Sequence, residues 1–393
     1  MKVVAWRSLL AGAIALVVTW IVSHGRSTPY DNYVLLAQSF LSGHVWVYAP
    51  SPVIDALPYG MHSYIIEAPL PAILMMPSVA IWGAAANQTF LAIVLCGIGI
   101  GAAFELCKRY GTSNATAAWL CAFLLAGTDL LWCAMLGDVW FVAHVSAVCF
   151  TLLALVELAG KRRGWLVALW AACAVESRFS YVLALPAYAF LLATIDARDR
   201  AFVLDARWRG RLAGFAAVLV PVAALWVWYN VARWGAWYDI GYSAWYHQDS
   251  AGSPTGSPFQ LQYLSYQLHS FFWQGPQRVA QFPWVMPTFS GIALTWTSPA
   301  LVLALLARRP ARVTIALWIA ALLCAAPDFV YYVNGFSQFG MRHALDFEPF
   351  LFGLMILGAR ERIPAWAYVL LGYSILVGLW GCWIWNTFVR QTY

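Results

Sequence analysis

Eight ionisable side chains stand where charge is costly in this chain: Asp31, Asp55, Glu67, Asp138, Glu176, Arg178, Arg342 and Asp346. Their surroundings are apolar, in a sequence of 393 residues that is 62% hydrophobic and only 10% charged. Charge held in or beside a bilayer is expensive and marks function by default. A carboxylate there can take a proton from an attacking hydroxyl, and an arginine presents a planar fork suited to phosphate. Acids and arginines gathered at one membrane face describe an embedded enzyme rather than a channel or a simple anchor.

Asp31 lies in Pro29-Tyr-Asp-Asn-Tyr33, directly after a first apolar run. It can meet a lipid-borne substrate and a polar acceptor together, as a general base requires; the alternative is a helix cap. Glu67 falls in His62-Ser-Tyr-Ile-Ile-Glu67-Ala-Pro-Leu-Pro71, where an unpaired carboxylate is costly. It is expected to orient Asp31 or to share a metal with it, against the alternative of an interfacial acid turned to water. Asp138 opens a long apolar stretch, as an assisting acid or as a cap, and His144 follows six residues on. His144 either faces the same cavity or is a satisfied core histidine.

Glu176-Ser-Arg178 interrupts the apolar stretch 164–195. Arg178 there holds a phosphate or is neutralised by Glu176. Arg342 and Asp346 are four apart in Gly335-Phe-Ser-Gln338-Phe-Gly340-Met-Arg342-His343-Ala-Leu-Asp346. That spacing predicts one helical face, on which Asp346 orients Arg342 against a phosphate with Gln338 and His343 alongside; the alternative is a structural pair. Tyr229-Asn230, Arg233, Asp239, Tyr242 and His247 offer aromatic and polar faces for sugar rings, although an interfacial aromatic belt explains most of them.

The elements that must position these residues are membrane helices. A span needs roughly 20 apolar residues, so the chain predicts an all-α polytopic membrane protein, one domain over 1–393, with about ten to twelve transmembrane helices. Apolar runs follow the first span at about 69–84, 87–107, 115–135, 139–160, 164–195, 212–232, 291–307, 313–326, 347–359 and 365–385. The run 69–84 carries Pro69, Pro71 and Pro77 and is expected to dip in and return; 164–195 is expected to split at 176–178. Residues 24–68, 233–290 and 328–346 form outer segments, and Tyr30 to Ser42 reads as an amphipathic interfacial helix with Val34, Leu35, Ala37 and Leu41 on its apolar face.

The net charge of +6 follows from topology and does not argue for nucleic acid. The cations cluster between spans at Lys108-Arg109, Lys161-Arg162-Arg163, Arg198 to Arg211, Arg308-Arg309 with Arg312, and Arg360 with Arg362, which marks those loops as inner. Eight scattered cysteines predict neither a disulfide framework nor a zinc site. Lys2 and Arg7 precede the first apolar run, which is expected to be a retained span because no cleavage site follows.

Taken in order, Tyr30-Asp31 to Gly43, Glu67-Ala-Pro-Leu-Pro71, Tyr229 to Tyr242 and Gln338 to Phe350 resemble the GT-C superfamily of integral membrane glycosyltransferases, near the protein mannosyltransferases. The resemblance covers most of the chain through degenerate motifs. It implies a polyprenyl-phosphate-linked sugar as donor, inverting transfer to a glycan, lipid or protein acceptor on the extracytoplasmic face, and a catalytic acid in the first outer loop, which Asp31 matches. An acidic pair in that loop and a large C-terminal soluble domain are both missing, which leaves a divalent metal and the acceptor undefined. The expected roles are then Asp31 as base, Glu67 and Asp138 assisting, Arg178 and Arg342 on the donor phosphate, and His62, His144, Tyr242, Gln338, His343 and Asp346 in support. The rival expectations are a lipid-linked sugar flippase or other transporter, and an O-antigen ligase or polymerase. An Ala- and Arg-rich composition suggests a bacterial inner membrane, with the site on the periplasmic side.

Overall fold

The computed structural model describes residues 2–48, 55–196, 202–248, 256–359 and 362–389. Arg198, Arg200 and Arg360 of the basic clusters lie outside the described residues. In chain order the helices are α1 (Lys2–Ser23), α2 (Asn32–Leu41), α3 (Leu70–Trp82), α4 (Gln88–Arg109), α5 (Asn114–Ala126), α6 (Leu130–Leu136), α7 (Val139–Leu158) and α8 (Gly164–Val175). They continue with α9 (Leu185–Ala193), α10 (Trp208–Trp234), α11 (Gly241–Gln248), α12 (Leu264–Phe272), α13 (Leu294–Thr297), α14 (Ala311–Phe329), α15 (Glu348–Ala359) and α16 (Ala365–Ile384). A short antiparallel hairpin, β1 (Leu57–Tyr59) and β2 (His62–Tyr64), stands in the first outer segment. The protein is a polytopic helical membrane protein.

Six helices, α1, α4, α7, α10, α14 and α16, are long and apolar enough to cross a membrane; α5 and α6 add a seventh crossing if the pair, bent by 52°, is one span. The runs containing α3, α8, α9 and α15 are shorter apolar helices, and the expected ten to twelve spans are approached only by counting them. The stretch 164–195 does split, into α8 and a 3-10 turn (Phe179–Ala184) leading into α9. The run 291–307 is not one helix but α13 followed by a 3-10 segment (Pro299–Leu306), where Pro299 follows α13 by two residues. Side chains of Asn87 and Ser113 cap α4 and α5 by accepting from Phe90 N and Thr116 N. Gly235 ends α10 in the left-handed conformation, at φ +69°.

Helix α2 forms where it was expected, with Val34, Leu36, Ala37 and also Asn32, Tyr33 and Ser39 buried. Leu41 is exposed instead of joining the apolar face. Helix α1 packs along α4 so closely that a Cβ at Gly12 would lie 2.7 Å from the Gly97 carbonyl oxygen. Backbones in contact at this spacing are how small residues join membrane helices.

The bundle has two chemically different ends. At one, Gln88 at the start of α4 donates to the carbonyls of Tyr30 (3.1 Å) and Gly137 (2.7 Å) and accepts from Tyr33 N (3.0 Å). Helix α4 then runs about 33 Å, at 1.5 Å per residue, to Lys108 and Arg109. There the cations are matched by carboxylates. Arg109 pairs with Glu105 (3.0 Å) and Arg163 with Glu157 (2.8 Å); Arg162 and Arg211 share Asp205, and Arg312 reaches Asp196 (3.2 Å).

Candidate functional site

At the Gln88 end lies a cavity of about 2300 Å³. Its walls come from the turn after α1, residues 55–69, the start of α7, the break between α8 and α9, the end of α10, α11, and residues 326–343. Apart from α11 and the hairpin, these are helix ends or irregular segments, where backbone can carry polar side chains inward.

Of the arginines that line it, Arg178 and Arg342 are in different states. Arg178 opens the 3-10 turn, and Asp346 holds it from behind: Nε and Nη2 donate to Oδ1 (3.1 Å) and Oδ2 (2.7 Å). Asp346 also accepts from His144 Nδ1 (2.9 Å) and Ser180 Oγ (2.7 Å), and is wholly buried. Burial alone would raise its carboxyl, but Arg178 and His144 reverse this and hold it well below the usual carboxylate range. Arg342 is buried too, yet its Nη1 meets only neutral acceptors, the Phe336 carbonyl and Gln338 Oε1, both at 3.1 Å. Its guanidinium lies over the Phe141 ring (5.2 Å), and its Nε has no partner. Among the described residues no carboxylate forms a salt bridge with Arg342.

These contacts correct two expectations. Asp346 does not orient Arg342, because Arg342–Asp346 is a 3-10 helix, in which residues four apart do not share a face. Glu176 does not neutralise Arg178; Asp346 does, from 168 residues away in sequence.

Carboxylates occupy the other walls. Asp138 precedes α7 without capping it; its Oδ1 accepts from the Thr28 hydroxyl, and Val139 N donates to Tyr30 O (3.1 Å). Glu67 follows β2 and is 5% exposed, with Oε2 buried and without a partner. Burial pushes its carboxyl up to about 8, helped by Asp55 and opposed by its own amide, Arg178 and Arg233. Burial also lifts Asp55 to about 6 and Glu176 to about 7.

Of the residues expected to be catalytic, phosphate-binding or supporting, Glu67, Asp138, His144, Arg178, Tyr242, Arg342 and His343 line the cavity. Asp31 does not: its neighbour Tyr30 does, while Asp31 stands half-buried at the start of α2, making no cap hydrogen bond. Gln338 and Asp346 are buried behind the wall as partners of the two arginines. His62 is off the cavity, stacked on Trp46 at 4.1 Å. Asp55, noticed only as a costly charge, Glu176, read as a partner of Arg178, and Tyr229, Arg233 and Asp239, read as faces for sugar rings, also join the lining; Glu176 and Arg233 carried the signal, an ion at the end of an apolar run. Among the described residues no three His, Cys, Asp or Glu side chains converge to hold a metal. Among the described residues the donor set does not fit a divalent ion.

No family model matches the chain, and no curated protein does. A solved structure does: ArnT from Cupriavidus metallidurans bound to undecaprenyl phosphate, with a TM-score of 0.54 at 15% identity over 94% of this chain. The fold is similar to that of ArnT. At that identity the likeness speaks for the fold alone. The chain spans 62% of the length of ArnT.

Proposed function

We infer that this protein is a GT-C-type glycosyltransferase using a polyprenyl-phosphate-linked sugar. The observation that carries this reading is Arg342, a buried guanidinium on the cavity wall with neutral acceptors only, facing a space also lined by Glu67 and Asp138. Asp129 and Asp138 act on this cation only from a distance; a buried cation without a directly paired anion is costly, and a lipid phosphate supplies that contact. Arg178, kept charged and fixed by Asp346, is the second contact for that phosphate. Both stabilise the charge that grows on the leaving phosphate as the sugar–oxygen bond breaks.

The acceptor hydroxyl attacks the opposite face of the sugar, which inverts the anomeric centre. Its proton passes to a cavity carboxylate, and Glu67 is suited by its unpartnered oxygen and a proton affinity near working pH. Asp138, held by Thr28, positions the acceptor. Tyr242 and the aromatic lining supply faces for the sugar ring. The site is assigned to the extracytoplasmic side of a bacterial inner membrane because the basic clusters gather at the other end of the bundle.

Native mass spectrometry of the purified protein with added undecaprenyl phosphate tests the donor site. A bound lipid phosphate lost in Arg342→Ala supports it; equal binding by both proteins, or none by either, overturns it. Comparing lipid-linked sugars and envelope glycans in cells with and without the protein tests the reaction, and an unchanged glycan profile would count against transfer.

A further inference from the structure

We propose that Arg233 is a positioning residue for Glu67: from the end of α10 it braces the segment that carries this carboxylate and supplies the positive charge that favours its ionised form. The proposal rests on the reading of Glu67 as base. Arg233 is buried, its side chain 3% exposed, although it is a cation in an apolar helix. Its Nη1 donates to the carbonyl of Ile65 (3.3 Å), two residues before Glu67, and its Nη2 to Asn230 Oδ1 (2.9 Å). The guanidinium is held flat by Tyr229 (4.0 Å to the ring centre) and Trp234 (4.8 Å). It lines the same cavity as Glu67. On the other flank, Leu70 N donates to Glu176 O (2.9 Å), so residues 65–70 are pinned at both ends to helix termini.

Two arginines act on the Glu67 carboxyl, Arg178 first and Arg233 after it. Around it stand Asp55 beside the hairpin, Glu176 and Arg178 at the break after α8, Arg233 on α10, Asp239 before α11, and the phenols of Tyr33, Tyr229 and Tyr242. Arg178 stays charged but is tied by a two-point contact to buried Asp346, which offsets part of its field. The carboxylate paired with Arg233, that of Asp239, is 3.5 Å away and 27% exposed, so far less of its charge is cancelled. An uncancelled cation near a buried carboxyl lowers its proton affinity, by about 1–3 pH units at close range. Burial drives Glu67 up, and its own amide, Arg178 and Arg233 oppose the rise.

The test is an infrared pH titration of the full-length protein in detergent, following the protonated-carboxyl stretching band that Glu67→Gln removes. In the wild type this band should titrate near pH 8. In Arg233→Gln the midpoint should move up measurably, and Arg233→Lys, which keeps the charge, should restore most of the shift. Asp239→Asn should move it the other way, by uncovering Arg233, which keeps the proposal testable if Arg233→Gln fails to fold. A midpoint unmoved by Asp239→Asn, or by a folded Arg233→Gln, overturns the proposal; a purely structural Arg233 would lower thermal stability and leave the midpoint in place. These readouts need no substrate, so a Glu67→Gln protein that still transfers sugar would remove the base assignment without touching this result.

Discussion

Glu67 and Arg342 are the two residues on which the proposed chemistry turns, and each makes a sharp demand on experiment. With its carboxyl lifted to about 8 by burial, Glu67 is mostly protonated at neutral pH, and only the ionised form accepts a proton. Turnover should therefore climb with pH, about tenfold per unit, until it levels near pH 8; Glu67→Gln should cost about 10²–10⁴-fold and erase the slope. Asp31→Asn should cost far less, because Asp31 stands off the cavity and makes no cap hydrogen bond. A loss in Asp31→Asn as large as in Glu67→Gln would return the base to Asp31. Arg342→Lys keeps the charge but loses the fork, and should weaken undecaprenyl phosphate binding by about tenfold or more, measured by titrating lipid into detergent-solubilised protein. The identity of both residues was legible in sequence, since an ion among apolar neighbours needs no structure to be noticed. Their partners were not. Asp346 pairs with Arg178 across 168 residues, and the four-residue spacing to Arg342 misled because the segment winds as a 3-10 helix.

Helices placed the site more reliably than pair spacing did. Runs such as 87–107 and 139–160 became α4 and α7 almost as read, because a long apolar stretch in lipid must satisfy its backbone internally and forms a helix. The breaks were harder to see. The run 115–135 is bent by 52° between α5 and α6, and there the buried Asp129 carboxylate lies against Gly340, two residues before Arg342: a Cβ on Gly340 would sit 2.5 Å from Asp129 Oδ1. Helix α16 closes the outside of this bend. Gly378 lies so near the end of α5 that an added Cβ would be 1.8 Å from the Ala126 carbonyl oxygen, and Gly381 faces the Phe339 ring. Backbone cannot step aside as a flexible side chain can. Gly378→Ala should destabilise the fold by about 1–3 kcal/mol, read as a lower melting temperature in detergent; unchanged melting would mean that α16 is not seated on the bend.

Across the whole molecule, the cavity and the basic clusters stand at opposite ends of α4 and α7. Asp138 opens α7 at the cavity, and Glu157, one residue before its end, pairs with Arg163. Cations at one end of a spanning bundle bias that end toward the cytoplasm, which would leave the cavity open to the other side, as the proposed transfer requires. Two exposed positions report the sides directly. Met61, at the tip of the β1–β2 hairpin, is 94% exposed at the cavity end, and Lys161 is exposed in the turn between α7 and α8. The native cysteines are buried apart from the half-buried Cys173, so background labelling should be low. In intact cells a membrane-impermeant maleimide should label Met61→Cys and spare Lys161→Cys, and permeabilised cells should label both. Labelling of Lys161→Cys alone in intact cells would turn the molecule over and put the site in the cytoplasm. Labelling of both would mean that α7 does not cross the membrane, and the separation of acidic cavity from basic end would then need another cause.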